Sequence, residues 1–317
     1  MRELDFLSII QSKLSDSSFL GDDCAFLQDL GLYITQDTLV EDVHFSMYTT
    51  TPYLLGRKAI AVNLSDLAAS LSVPKYVTIS LSMPSKIKSD FVDEFYSGVN
   101  DIANEYNVKV VGGDLTSSEK IVVSVCAIGK KEHKYNISRK NAKNGDIVAV
   151  TGYHGLSSAG LYAMSDFLFC DETLKNAHLN PVPRVNEAIE LSSSIERDIA
   201  VMDSSDGLID ALYKISLASK HSIEIDIEKV PVATELKLFC KQNNLDYKNF
   251  VKWGGEDFEL VICIPDEIYQ NLDKTKYISI GKVLNKDTNP TLIIKDGTKY
   301  EKITQAIFEE KSYKHFK

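Results

Sequence analysis

Carboxylates gathered in five short segments are the groups in this chain best suited to chemistry. Asp22 and Asp23 follow Gly21, and the apolar run Leu32-Tyr33-Ile34 leads through Thr35 and Gln36 to Asp37. Asp66 lies in an apolar helical stretch, Asp114 follows Gly112-Gly113, and Asp203 and Asp206 bracket Ser204-Ser205. Singly, each segment has an ordinary structural reading: a turn, a charged hairpin edge or a helix cap. Together they repeat one theme, acids beside glycines or hydroxyls, with no histidine or cysteine at metal-ligand spacing. Hard oxygen donors of this kind suit Mg²⁺, which binds through carboxylates and substrate phosphates, whereas zinc or iron wants nitrogen or sulfur.

The composition narrows the class. With 317 residues and 44% hydrophobic content, two soluble domains are the natural expectation. A net charge of −10 disfavours nucleic acid, whose binding depends on phosphate neutralisation by Lys and Arg. An acidic protein still handles anionic phosphates if metal ions mediate the contact. The five cysteines are scattered and contain no C-x-x-C pair, which fits reduced thiols. Neither a signal peptide nor an apolar run of membrane-spanning length is present, so a cytoplasmic protein is expected. G-x-x-x-x-G-K-[ST] is absent, and the glycine turn 152–160 lacks the G-x-G spacing of a dinucleotide fingerprint. The residues alone therefore point to a Mg²⁺-dependent enzyme of a phosphate ester without a P-loop.

The elements that must position these acids follow from hydrophobic periodicity. Residues 3–14 read as a helix with Leu4, Leu7, Ile10 and Leu14 on one face. Residues 54–71 form a second helix, with Ile60, Leu64, Leu67 and Leu71 in a stripe and Asn63 and Asp66 beside it. A carboxylate there is either hydrogen-bonded to nearby backbone or bound to a metal. Residues 76–83 and 121–128 alternate as strands, 89–105 are helical, and 108–111 read as a short buried strand stopping at Gly112-Gly113. This is an α+β domain of roughly 130 residues. Residues 130–143, with six Lys or Arg, read as a solvated connection in which Arg139 suits phosphate. A second α/β block then shows strands at 146–152, 223–227 and 258–264, a helix at 185–191, and a strand-to-helix turn within 199–210.

Six motifs carry a resemblance. Gly21-Asp22-Asp23, the run from Thr35 to Phe45 (TQDTLVEDVHF), Asn63-Leu64-Ser65-Asp66, Val111-Gly112-Gly113-Asp114, Asp203-Ser204-Ser205-Asp206-Gly207 and Gly254-Gly255-Glu256-Asp257 resemble the thiamine-monophosphate kinase family in order and spacing. Several acid motifs are shared with the superfamily that includes aminoimidazole ribonucleotide synthetase, selenophosphate synthetase and a hydrogenase-maturation protein. The resemblance implies an N-terminal mixed sheet with helices (1–134) that binds ATP and Mg²⁺ and pairs with a dimer mate. It implies a C-terminal α/β domain (135–317) that completes the substrate site. It further implies a homodimer, ATP as co-substrate, several Mg²⁺ ions, and phosphorylation of thiamine monophosphate to thiamine diphosphate. Asp23, Thr35, Gln36, Asp37, Asp66, Asp114, Asp203 and Asp206 would hold metal, with Asp37, Asp66 and Asp206 central to catalysis. Tyr106, Gly113, Asp114, Arg139 and Ser205 would contact ATP, and His44, Glu256 and Tyr313 the thiamine substrate. In that scheme the substrate's phosphate oxygen attacks ATP in line, with no protein nucleophile.

The chain departs from the family at Gln36, where a small hydroxyl residue is usual, and at Leu115-Thr116-Ser117-Ser118, which replaces Thr-Thr-Arg after Asp114. Tyr153-His154 stands where smaller residues are common. The rivals are another ATP-using synthetase of the superfamily and a non-catalytic ATP-binding protein. If the strand after Asp37 continued fully extended, His44 would lie roughly 23 Å away. On that spacing the segment links a metal site to a separate substrate site, and Asp42 is simply solvated.

Overall fold

The computed structural model describes residues 3–314. Residues 1–2 and 315–317 of the two expected domains, including the end of the aromatic tail, lie outside the described residues, as does the Leu4 side chain. In the first half the elements are α1 (Glu3–Lys13), β1 (Ala25–Leu27), β2 (Leu32–Val40), α2 (Pro52–Ala69), β3 (Val73–Met83), α3 (Ser89–Glu105), β4 (Lys109–Ser117) and β5 (Val122–Lys130). The second half contains β6 (Ile147–Val150), α4 (Leu156–Ser165), α5 (Glu172–Leu179), α6 (Val185–Ser192), β7 (Ala200–Asp203), α7 (Leu208–Ser219) and β8 (His221–Asp226). It continues through α8 (Thr234–Gln242), α9 (Tyr247–Trp253), β9 (Leu260–Ile264), α10 (Asp266–Tyr269), β10 (Ile278–Lys286), β11 (Leu292–Asp296), β12 (Lys299–Ile303) and α11 (Gln305–Lys311).

The strands make two sheets, ordered β1-β2-β5-β3-β4 and β12-β11-β8-β10-β6-β9-β7. The first is mixed: β3 and β4 are parallel and the other pairs antiparallel. The second is antiparallel except between β8 and β11. Period-two alternation builds the first sheet. Val123, Val125 and Ala127 of β5 are buried, while Ser124 and Cys126 between them are half-buried. On that second face Ser124 Oγ accepts a hydrogen bond from Gln36 and meets the Thr38 hydroxyl.

α2 is buried nearly all round, with Leu64 and Leu67 fully inaccessible. Truncating either to Ala would cost about 2–5 kcal/mol. Thr51 caps the helix by accepting the Leu54 N–H at 3.2 Å, and Pro52 occupies its first position. One apolar cluster spans both halves, joining Leu64, Val77 and Phe95 to Val201, Leu260 and Ile262.

One expectation needs correcting. Residues 108–111 do not end in a glycine turn: β4 runs on through Gly112, Gly113 and Asp114 to Ser117, and all nine of its residues are exposed. It is an edge strand paired only on its β3 side. A Cβ on Gly113 would meet the Ile79 carbonyl oxygen at 1.9 Å, so glycine there serves close strand approach, not a turn. On α1 the apolar residues Leu7, Ile10 and Leu14 stand exposed. Neither the element order nor the strand at 258–264 is disturbed, although the strand begins at Leu260 because Phe258 adopts φ +54°.

Candidate active site

The acids converge where the two sheets meet. Asp23 precedes β1, Asp66 lies in the last turn of α2, and Asp203 ends β7. One carboxylate oxygen from each lies within 4.8 Å of the others. Hydroxyls steady them: Thr35 donates to Asp66 at 2.5 Å and Ser65 to Asp203 at 2.6 Å. The pair Asp22-Asp23 divides its labour. Asp22 accepts the Ser138 hydroxyl and the Arg139 N–H, while Asp23 pairs with the Arg139 guanidinium at 2.5 Å. The stripe on α2 divides too. Asn63 takes the structural option, accepting the Asp37 N–H and donating to the Ala59 carbonyl, whereas Asp66 joins the acid cluster.

Burial, then mutual repulsion, sets the charge state here. Burial pushes Asp23 up to about 7 against the pull of Arg139. Asp37 rises to about 6 through burial and the charges of Asp203 and Asp206. Asp66 and Asp203 are also raised, chiefly by burial. Such a group of hard oxygens is short of positive charge and fits a divalent cation of the Mg²⁺ type.

A cavity of about 690 Å³ opens beside this cluster, lined among others by Asp37, His44, Ser205, Asp206, Trp253, Glu256 and Tyr313. The extended-strand argument that separated Asp37 from His44 therefore fails. β2 ends at Val40, and the chain folds back so that the Val40 N–H donates to His44 Nδ1 at 3.1 Å. Asp42 makes that turn at φ +63° and pairs with Lys120 at the surface. Both residues face one cavity.

The loop Gly254-Gly255-Glu256-Asp257 forms part of its wall, next to Ser205 and Asp206. A Cβ on Gly254 would strike Ser158 Oγ at 2.0 Å, so only glycine lets the loop lie on α4. Asp257 accepts the N–H groups of Gly155 and Ser157 at the start of α4. Glu256 meets Lys58 and His178, each 3.0 Å from Oε2. Burial alone would raise this carboxyl; Lys58 and His178 outweigh it and hold it at about 2.

Not every expected residue joins. Gln36 points its side chain at Ser124 on the opposite sheet face, leaving only its backbone near Thr35 and Asp37. Tyr106 ends α3 and donates to the Pro183 carbonyl, beside Glu105 and Arg184. Gly113 shares a row with Asp37 through Val125 and Ile79, three strand spacings or roughly 14 Å away. Gly113 and Asp114 therefore stand apart from the acid cluster within one chain. Asp206 pairs with Lys214 at 3.0 Å and does not cap α7, whose N-cap is Gly207.

Sequence reasoning missed Lys58, His178 and Ser157. Lys58 carried a signal: a lysine in a helix apolar on nearly every side has nowhere to go but inward. His178 carried none, because the short α5 lacks a clear period.

Comparisons with known proteins agree with this geometry. Residues 21–130 match the N-terminal domain and residues 143–267 the C-terminal domain of AIR synthase related proteins. The thiamine-monophosphate kinase of Bacillus subtilis is 34% identical over 344 residues, covering 100% of both chains. That of Aquifex aeolicus is 33% identical over 321 residues, covering 99% of this chain and 98% of its own. A solved structure described as AaThiL complexed with AMPPCP and TMP superposes with TM-score 0.86 at 30% identity, covering 99% of this chain and 97% of the other. Hydrogenase maturation protein HypE in its HypF complex shares the fold, with TM-score 0.74 at 20% identity. Full-length identity above 30%, both domain matches and the acid-lined cavity lead to one assignment: the chain belongs to the thiamine-monophosphate kinase family.

Proposed function

We propose that this protein phosphorylates thiamine monophosphate to thiamine diphosphate with ATP as donor. The observation that carries the reading is one cavity that holds Asp37 and Asp206, beside a cation-hungry acid cluster, together with Glu256, Trp253 and Tyr313. A triphosphate needs the acid cluster and its cation. A cationic thiazolium and a flat pyrimidine suit the cavity, where an acid and aromatic faces lie together.

Asp23, Asp66 and Asp203 would hold Mg²⁺, with Asp37 and Asp206 lining the adjoining cavity and Thr35 and Gln36 offering oxygens from β2. When bound, Mg²⁺ neutralises phosphate charge. The chain's own residues then orient the reaction. Thr35 and Ser65 fix the carboxylates, Ser205 lines the cavity beside Asp206, and Arg139 stands on Asp23 where a guanidinium can meet phosphate. Transfer is direct and in line, since the acceptor phosphate is already ionised at neutral pH.

The N-terminal portion (1–134) is assigned to ATP, Mg²⁺ and dimerisation, and 135–317 to completing the substrate site. Homodimerisation is supported by the free β4 edge, where Val110, Val111 and Leu115 are exposed, and by the exposed α1 face. Gly113, Asp114 and Tyr106 are assigned to the nucleotide, His44, Glu256 and Tyr313 to thiamine. Five free cysteines suit the reducing cytoplasm, and no described helix is long and apolar enough to cross a membrane.

ADP release measured with and without thiamine monophosphate tests the reading. Release that depends on thiamine monophosphate supports it, and indifference to that substrate defeats it. A covalent phospho-enzyme trapped with labelled ATP would overturn the in-line mechanism.

A further inference from the structure

We infer that Lys58 and His178 are positioning residues for the thiamine end of the substrate, acting by fixing the Glu256 carboxylate. The inference rests on the reading that thiamine monophosphate occupies this cavity. Lys58 projects from α2 and is only 3% exposed, with Nζ 3.0 Å from Glu256 Oε2. His178 comes from α5 and places Nδ1 3.0 Å from the same oxygen. A carboxylate only accepts, so His178 carries its proton on Nδ1 and donates it, with Ser157 Oγ 3.2 Å away as a second contact. Glu256 itself sits at φ +64°, a conformation uncommon for residues with a side chain, and its N–H donates to the Ser205 carbonyl at 2.6 Å.

Two helices and a strained loop thus converge on one side chain that lines the cavity. Both donors take Oε2, so the carboxylate's orientation is settled before any ligand arrives. That spares binding the entropy of ordering it. Lys58 also cancels the charge of Glu256 at a distance. Asp206 is likewise paired, with Lys214, so long-range attraction for a cation comes from Asp37 in the same cavity. What the Lys58–Glu256–His178 group supplies is a fixed acceptor.

Steady-state kinetics on the full chain test this with K58M, H178F, E256Q and the K58M/E256Q double variant. K58M should raise KM for thiamine monophosphate roughly 10- to 100-fold, and H178F by less, as is usual when the support of a binding residue is removed. kcat and KM for ATP should stay within about threefold. The double variant should be no worse than the worse single one, because Lys58 acts through Glu256. K58R should recover most of the loss, and it carries the test with H178F if K58M does not fold. Equal rises in both KM values, or additive effects in the double variant, would reduce Lys58 to a structural role. Unchanged kinetics in K58M and H178F would overturn the inference alone. Wild-type protein without thiamine-monophosphate-dependent ADP release would instead remove the functional reading beneath it.

Discussion

The acid cluster and the cavity beside it use the same functional group in opposite ways. In the cluster Asp23, Asp66 and Asp203 crowd together with Arg139 as their paired cation, and burial drives their ionisation upward. In the cavity a single carboxylate, Glu256, is held ionised by two donors. The first group is electrically unfinished; the second is complete within the protein. The first group thus holds unrelieved repulsion that a bound cation would relieve, whereas the second is ordered without one.

Substitutions should therefore act with opposite sign in the two groups. Asp66→Asn is expected to lower kcat at least 10³-fold, about 4 kcal/mol of transition-state stabilisation. The same change should raise the melting temperature of the ligand-free protein at pH 8, because it removes a repelling charge. Wild-type turnover in that variant would take Asp66 out of the metal site. Glu256→Gln should destabilise the ligand-free protein by about 2–4 kcal/mol in denaturant unfolding, since it strands the buried Lys58 ammonium. Equal signs for these two variants would break the comparison.

His154 offers a third case, a buried base with neither ring nitrogen partnered among the described residues. Burial, aided by Arg184, holds it down at about 3. The folded state binds its proton less readily than the unfolded chain, whose histidine titrates near 6.5. Its stabilising effect is therefore full above 6.5 and is lost as pH falls toward 3, at about 1.4 kcal/mol per unit. Between pH 6.5 and 5 the wild type should lose roughly 2 kcal/mol more than His154→Leu, as read by unfolding at each pH. The smallest effect concerns Mg²⁺ alone. It should raise the melting temperature by several degrees at pH 8 and by less at pH 6. Asp23 and Asp37, raised to about 7 and 6, ionise within that window, and only then does the cluster have repulsion for a cation to relieve. A shift independent of pH would argue that the cation binds elsewhere.

Much of this arrangement was legible in the sequence, and the parts that were not share a cause. Strands and helices of the first half followed from period-two and 3.6-residue patterns, and the acids announced themselves by type. Whether an acid joins the cluster depends on which way its residue faces. Thr35 and Gln36 are neighbours on β2, yet one meets Asp66 and the other Ser124 across the sheet. The turn at 41–45 defeated an estimate that assumed extension, and Gly112-Gly113 looked like a turn because close strand packing leaves the same mark. Partners supplied by distant elements, such as His178 for Glu256, are set by tertiary packing and have no local trace.

The apolar cluster that runs from Leu64 and Phe95 to Val201 and Ile262 bears on how the molecule comes apart. Neither sheet can leave without exposing the other's packed side chains to water. The halves should therefore melt together, in one cooperative step instead of two. A ligand bound at the seam, between Asp23 on one side and Asp203 on the other, would then protect the whole chain at once.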